Sequence, residues 1–167
     1  YLDIDETYSG FQHTMLFSFG ELFKEGINKG LFQMCVDISR DTICSHAGIS
    51  KTWCSNNNIH YNESLDLISE EINELFKYKP YSFKFIGNDP YGNSVESSPI
   101  WIRPYSLKFD GLPYTQIVGH TITEKIEKAS LTNTLNSEYF YYLIDTLGTS
   151  KEYLVQQDNE IIILQLK

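Results

Sequence analysis

Two histidines in this chain sit in the same kind of local sequence. His46 lies in Thr42–Ser50, T-I-C-S-H-A-G-I-S, and His120 lies in Ile117–Thr121, I-V-G-H-T. In each, a short apolar β-type run ends in a small residue, the histidine follows, and small residues resume. A strand that stops this way presents an imidazole at a sheet edge, where the backbone is uncluttered; Ala47-Gly48 lets the chain approach a ligand closely there. A neutral imidazole ligates zinc, iron or manganese-type ions, so the expectation is that His46 and His120 converge on one cation. No spacing rule covers two histidines 74 positions apart, so these residues by themselves leave a structural role for both imidazoles open. His13 and His60 read as surface histidines, and the acidic cluster Asp3, Asp5 and Glu6 as an exposed leader.

The composition sets the frame. A chain of 167 residues with 41% hydrophobic residues, 12 Tyr and 10 Phe fits one folded domain; chains of ~150 residues bury about 68–70% of their extended surface. The net charge of −9 speaks against a nonspecific nucleic-acid binder, which needs a basic surface to displace counterions. It suits divalent cations, although a solvated acidic surface is the commoner meaning of such a charge. Arg40 and Arg103 are the two arginines, so the choice for any bidentate anion clamp is narrow. Cys35, Cys44 and Cys54 form no C-x-x-C pair and read as reduced, mostly buried thiols of a cytoplasmic protein. No apolar run approaches ~20 residues, so no membrane span is expected, and nothing at the start reads as a signal peptide. The start at Tyr1 without a Met fits a trimmed chain or a segment of something longer.

The elements that must position the histidines follow from periodicity. Apolar residues at helical spacing predict a helix over 11–29, stopped at Gly30, and a second over 62–76 with Asn62 as N-cap and Leu65, Ile68, Ile72, Leu75 and Phe76 as its core stripe. Strands are expected at 31–38, 42–45, 114–118 and 139–144, and a hairpin at 151–156 and 160–166 around Asp158-Asn159. Residues 51–58 read as a helical turn leading into loop. Residues 87–99, rich in Gly, Asn, Pro and Ser, read as a mobile lid or a disordered insertion. Ile100–Pro104, I-W-I-R-P, reads as a short extended segment, with Pro104 keeping Arg103 out of helical geometry. Trp53, Tyr91 and Trp101 read as core or rim aromatics. The sum is an α+β fold, a mixed sheet with helices on one face.

S-H-A-G-I-S with a following Trp, W-I-R-P, V-G-H-T and Y-L-I-D-T occur in that order. From about Leu31 onward this resembles the C-terminal half of calcineurin-like metallophosphoesterases, the superfamily of Ser/Thr protein phosphatases and symmetrical dinucleoside tetraphosphatases. The resemblance implies a β-sandwich flanked by helices with a two-metal centre (Mn, Fe or Zn) at the strand ends. It implies that His46 and His120 coordinate the same metal, each with a backbone acceptor on its other ring nitrogen, and that Arg103 holds the phosphate of a phosphate-ester substrate. Ile122 stands where phosphodiesterase branches carry a second histidine, which favours the phosphatase and tetraphosphatase branch.

The family's three earlier motifs, D-x-H, G-D-x-x-D and G-N-H-D/E, do not occur here, and with the third goes the family's catalytic acid histidine. Residues 1–167 therefore read as one partial domain, the C-terminal portion of a metal-dependent phosphoesterase. Two imidazoles are too few for a catalytic centre, so the chain alone is expected to bind divalent metal weakly and to hydrolyse little. Its uncovered apolar sheet face would seek the missing N-terminal half or a second copy. The competing readings are a non-catalytic binding or assembly domain that keeps the fold, and an unrelated α+β interaction module with structural histidines.

Overall fold

Cys35–Ser39 (β1) turns at Arg40-Asp41 into Thr42–Ser45 (β2), and the two pair antiparallel with Cys35 opposite Ser45. The chain then leaves the sheet for three helices, α2 (Lys51–Asn56), α3 (Leu65–Tyr78) and α4 (Pro104–Asp110), and returns as β3 (Thr115–Ile122), parallel to β2. After β4 (Glu127–Ser130) comes β5 (Phe140–Asp145), parallel to β3 and antiparallel to β4. The result is a mixed five-stranded sheet in the order β1-β2-β3-β5-β4. A separate two-stranded hairpin, β6 (Glu152–Gln157) with β7 (Glu160–Gln165), closes the chain. The molecule is α+β, as the sequence predicts. This computed structural model describes Thr14 and residues 16–84, 89–132, 139–157 and 160–166. His13, Asp3, Asp5, Glu6, the start of the first predicted helix and the hairpin tip Asp158-Asn159 lie outside them.

The described residues form two compact units, one up to Gln33 and one from Met34 onward. The first holds α1 (Leu16–Asn28), which closes with Leu31 N–H donating to Gly26 O at 2.8 Å and with the Phe23 and Phe32 rings 5.3 Å apart.

In the second unit the helices line one face of the sheet. Residues two apart on a strand share a face, and the registers Ile43–Gln116, Gln116–Tyr141 and Val118–Leu143 put these side chains on the same side. Ile43 packs with Trp53, Cys54, Leu65, Ile68 and Ile72 of α2 and α3, whereas Val118, Tyr141 and Leu143 pack with Leu107 of α4. Ile68 and Ile72 are fully buried and Leu65 nearly so, which is the stripe that the 3.6-residue spacing predicts.

Boundaries differ where local chemistry competes. The N-cap of α3 is Ser64, not Asn62. Pro80–Phe83 forms a 3-10 turn, and Pro104 opens a helix instead of continuing an extended segment: it occupies the first turn of α4, where its missing N–H costs nothing, while Arg103 stays extended at φ −107° and ψ 159° as the N-cap. Strand β4, whose sequence Glu-Lys-Ala-Ser carries no apolar alternation, is not legible from pattern. Residues 89–99 are not a loose lid. Asp89 accepts from the backbone N–H of Asn93 and Ser94 and from Ser97 Oγ, and Ser50 and Ser106 donate from their hydroxyls to the carbonyls of Val95 and Asn93.

Candidate functional site

Strands β2, β3 and β5 are adjacent and parallel, so their carboxyl ends share one edge of the sheet, the position at which open sheets with parallel strands commonly bind ligands. His46 follows the last residue of β2. His120 lies inside the end of β3, and Asp145 closes β5. Gly119 N–H donates to His46 O at 2.9 Å, which extends the β2–β3 ladder by one step and ties the two histidine segments together. Beyond it the β3–β5 register shifts between Val118 and Ile122, and His120 takes φ 62°. A left-handed conformation is uncommon for a residue with a side chain and costs of order 1 kcal/mol or more, so the surrounding structure must impose it. The strand therefore does not stop before its histidine, as the sequence reading has it; it bulges at the histidine and turns the imidazole aside.

The two rings meet. His46 Nε2 and His120 Nδ1 are 3.0 Å apart, with ring centroids at 4.8 Å. Partial burial is the main reason both imidazoles are harder to protonate than usual. For His46, Asp145 opposes the effect and Arg103 adds to it. For His120, Arg103 and His46 add to burial and Asp145 opposes it, and the group is pushed down to about 4. Both rings are thus neutral at pH 7, the form that can donate a lone pair to a cation.

The turn carrying His46 is fixed from several sides. Ala47 N–H donates to Pro99 O at 2.7 Å and Gly48 N–H to Ser45 Oγ at 3.1 Å. The buried carboxamide of Gln116 accepts from Ile49 N–H at 2.8 Å and donates to Ile49 O at 3.0 Å. Gly48 has φ 118°, and a Cβ there would stand 2.7 Å from the buried Leu107 side chain, so this turn admits only glycine without movement.

Arg103 lies beside the pair. Its NH1 donates to His120 O and to Thr121 Oγ1, both at 3.3 Å, and its guanidinium sits 5.6 Å from the Trp101 ring centroid. Among the described residues no carboxylate is within ion-pair distance of Arg103. Trp101 also lies against His120, with ring centroids 5.5 Å apart. The three residues singled out by sequence therefore come together at one edge. His60 instead pairs with Glu71 on the surface at 3.0 Å, and Arg40 lines a separate open cleft of about 600 Å³ with Asp37, Asp66 and Tyr114. Gln116 escaped sequence reasoning as a site-builder. A polar Gln inside the apolar run of β3 was the available signal.

Two nitrogens bound to one ion at ~2.0–2.1 Å lie roughly 3.0–3.4 Å apart, so the 3.0 Å separation between the rings suits a shared cation as well as a direct hydrogen bond. His120 Nε2 is buried without a hydrogen-bonding partner; the backbone acceptor implied for that nitrogen is not there. Among the described residues no group of three or more His, Cys, Asp or Glu side chains is arranged to hold a metal. The pair fits as part of a ligand set. A two-metal centre does not fit the described residues of this chain.

All three cysteines are free, and burial raises their thiol pKa values, that of Cys35 to about 12. None is a ready thiolate nucleophile. No described helix is long and apolar enough to cross a membrane.

No protein-family model and no curated protein matches the chain. Among solved structures, the crystal structure of a cold-active protein-tyrosine phosphatase of a psychrophilic Shewanella species is similar over 78% of this chain and 40% of its own, at 20% identity and a TM-score of 0.47. This chain thus spans less than half the length of that protein. A likeness of that degree fixes neither the family nor the reaction.

Proposed function

We propose that this chain carries part of a metal-dependent phosphoester-binding site, with His46 and His120 as two ligands of one divalent ion (Mn, Fe or Zn) and Arg103 as the anion clamp. The observation that supports it is the 3.0 Å approach of His46 Nε2 to His120 Nδ1 with Arg103 hydrogen-bonded to the His120 carbonyl. Bound there, a divalent ion would supply Lewis-acid polarisation of a phosphoryl oxygen and an acidified water. The chain's own residues do the rest. Neutral His46 and His120 keep their lone pairs for the ion, and the Gln116 clamp and the Gly119–His46 hydrogen bond hold both rings in place. Arg103 spends NH1 on the protein and offers its remaining N–H groups to phosphate oxygens in a planar fork that a lysine cannot reproduce. With two imidazoles and no third ligand among the described residues, metal binding is weak and turnover by this chain alone is slight.

The reading is tested with inorganic phosphate in the presence of Mn²⁺, followed by calorimetry. Phosphate is expected to bind the wild type and to lose at least roughly tenfold in affinity in Arg103→Ala, as removal of a charged bidentate partner does. Equal binding to both proteins would remove Arg103 from the site. A p-nitrophenyl phosphate assay with Mn²⁺ is expected to give little turnover. A rate like that of an intact phosphatase, abolished in His120→Ala, would contradict the view that the site is incomplete. A non-catalytic binding domain is the second reading, favoured by the lack of a third metal ligand among the described residues; phosphate binding that is the same with and without a divalent ion would support it.

A further inference from the structure

The turn Asp89–Asn93 is built against the backbone that carries Trp101 and Arg103. Arg103 N–H donates to Gly92 O at 2.9 Å, Trp101 Nε1 donates to Asp89 O at 3.3 Å, and Gly92 takes φ 67°. A Cβ on Gly92 would lie 2.3 Å from Trp101 O and 3.0 Å from Arg103 Cγ. The first distance is to backbone, which cannot swing away, and the second is to the stem of the side chain whose far end reaches His120 O and Thr121 Oγ1. The turn itself is rigid, because the Asp89 carboxylate accepts three hydrogen bonds within it and is held below the usual carboxylate range despite partial desolvation.

We propose that Gly92 is the positioning residue for Arg103. By having no Cβ it lets the turn close on Trp101–Arg103 and directs the guanidinium to the His120 carbonyl and the Thr121 hydroxyl. The role in phosphate recognition rests on the function proposed above; the placement of the guanidinium does not. Any side chain at Gly92 pushes the Arg103 stem outward, breaks its contacts to His120 O and Thr121 Oγ1, and moves the anion clamp while leaving the imidazole pair in place. Substitution at Gly92 therefore acts on the anion and not on the metal.

The chain has two arginines, Arg40 and Arg103, so its arginine Nε–Hε region in a ¹⁵N–¹H spectrum holds two cross-peaks, and Arg103→Lys assigns them by deletion. In Gly92→Ala the Arg103 cross-peak is expected to move or broaden while that of Arg40 stays. Asp89→Asn, which loosens the turn without adding a Cβ to it, should produce a smaller shift in the same peak. Added inorganic phosphate with Zn²⁺, a diamagnetic ion that imidazoles ligate, is expected to shift the Arg103 peak in the wild type, with the midpoint raised roughly tenfold in Gly92→Ala; by calorimetry, Gly92→Ala is expected to add no further loss of phosphate affinity to Arg103→Ala. An Arg103 cross-peak unchanged in a folded Gly92→Ala protein overturns the inference. So does loss of all dispersion in both variants, since the turn would then serve the fold at large. A displaced Arg103 peak in Gly92→Ala together with a wild-type peak indifferent to phosphate supports the placement and overturns the proposed function instead.

Discussion

At His120 three costs coincide: a left-handed backbone, a buried unpartnered Nε2 and an imidazole whose protonation is opposed by burial and by the neighbouring Arg103 and His46. None of them helps the fold, and such costs gather where a side chain is held for use. They give a signed pH dependence. The folded-state value for His120 is pushed from 6.5 to about 4, so between those values the unfolded chain binds the extra proton and the folded one does not. Stability should therefore fall as pH drops from about 6.5 to about 4, with His46 acting in the same direction. His120→Asn should show a shallower fall than the wild type in thermal melts across that window. His60, whose pairing with Glu71 acts in the opposite sense, is present in both proteins and cancels in the comparison. A wild type and variant with parallel pH profiles would show that the ring is protonated as easily as a free histidine.

The same residue shows what sequence can reveal. The types and flanks of His46, His120 and Arg103 single them out, but the two histidines, 74 positions apart, meet only because β2 and β3 are parallel neighbours, a long-range pairing that no local pattern encodes. Nor is the bulge that aims His120 readable from I-V-G-H-T, because it arises from the register shift against β5.

Among the elements, α3 and β2 were legible because each has one buried stripe or one apolar run and a clear stop. Strand β4 and helix α4 were not: the first is a polar edge strand that exists through its pairing with β5, and the second is seven residues long and depends on Pro104 at its start. Strand β3 owes its precision to Gln116, whose carboxamide occupies both backbone groups of Ile49. Gln116→Ala leaves the buried N–H of Ile49 without a partner, while its C=O still accepts from Leu112 N–H, which should cost about 1–3 kcal/mol in chemical denaturation. A loss under ~0.5 kcal/mol would mean that the turn after His46 is held without it. Ser50 caps α2 by accepting from Trp53 N–H at 3.1 Å, and Ser50→Ala should cost about 1 kcal/mol in the same assay.

At the scale of the whole molecule, the β6–β7 hairpin is tied to the sheet through Glu152, which accepts from Ile126 N–H and whose carbonyl accepts from Thr146 Oγ1, both at 2.7 Å. It nevertheless exposes Tyr153, Ile162, Ile163, Leu164 and Leu166, each by 37–52%. A two-stranded hairpin is marginal by itself, and an apolar edge strand invites pairing. Sedimentation velocity is expected to show concentration-dependent self-association that Ile163→Lys suppresses without lowering the melting temperature. A monodisperse monomer at all concentrations would show that the exposed edge is tolerated.

The most direct measurement is a Co²⁺ titration of the chain followed by its visible absorption, in the wild type and in His46→Ala and His120→Ala separately. If the two imidazoles share one ion, the wild type should bind one weakly held Co²⁺ per chain, and either substitution should abolish the signal. Binding that survives one of the two substitutions intact, or no binding beyond that of free histidine, would contradict a shared cation at this edge of the sheet.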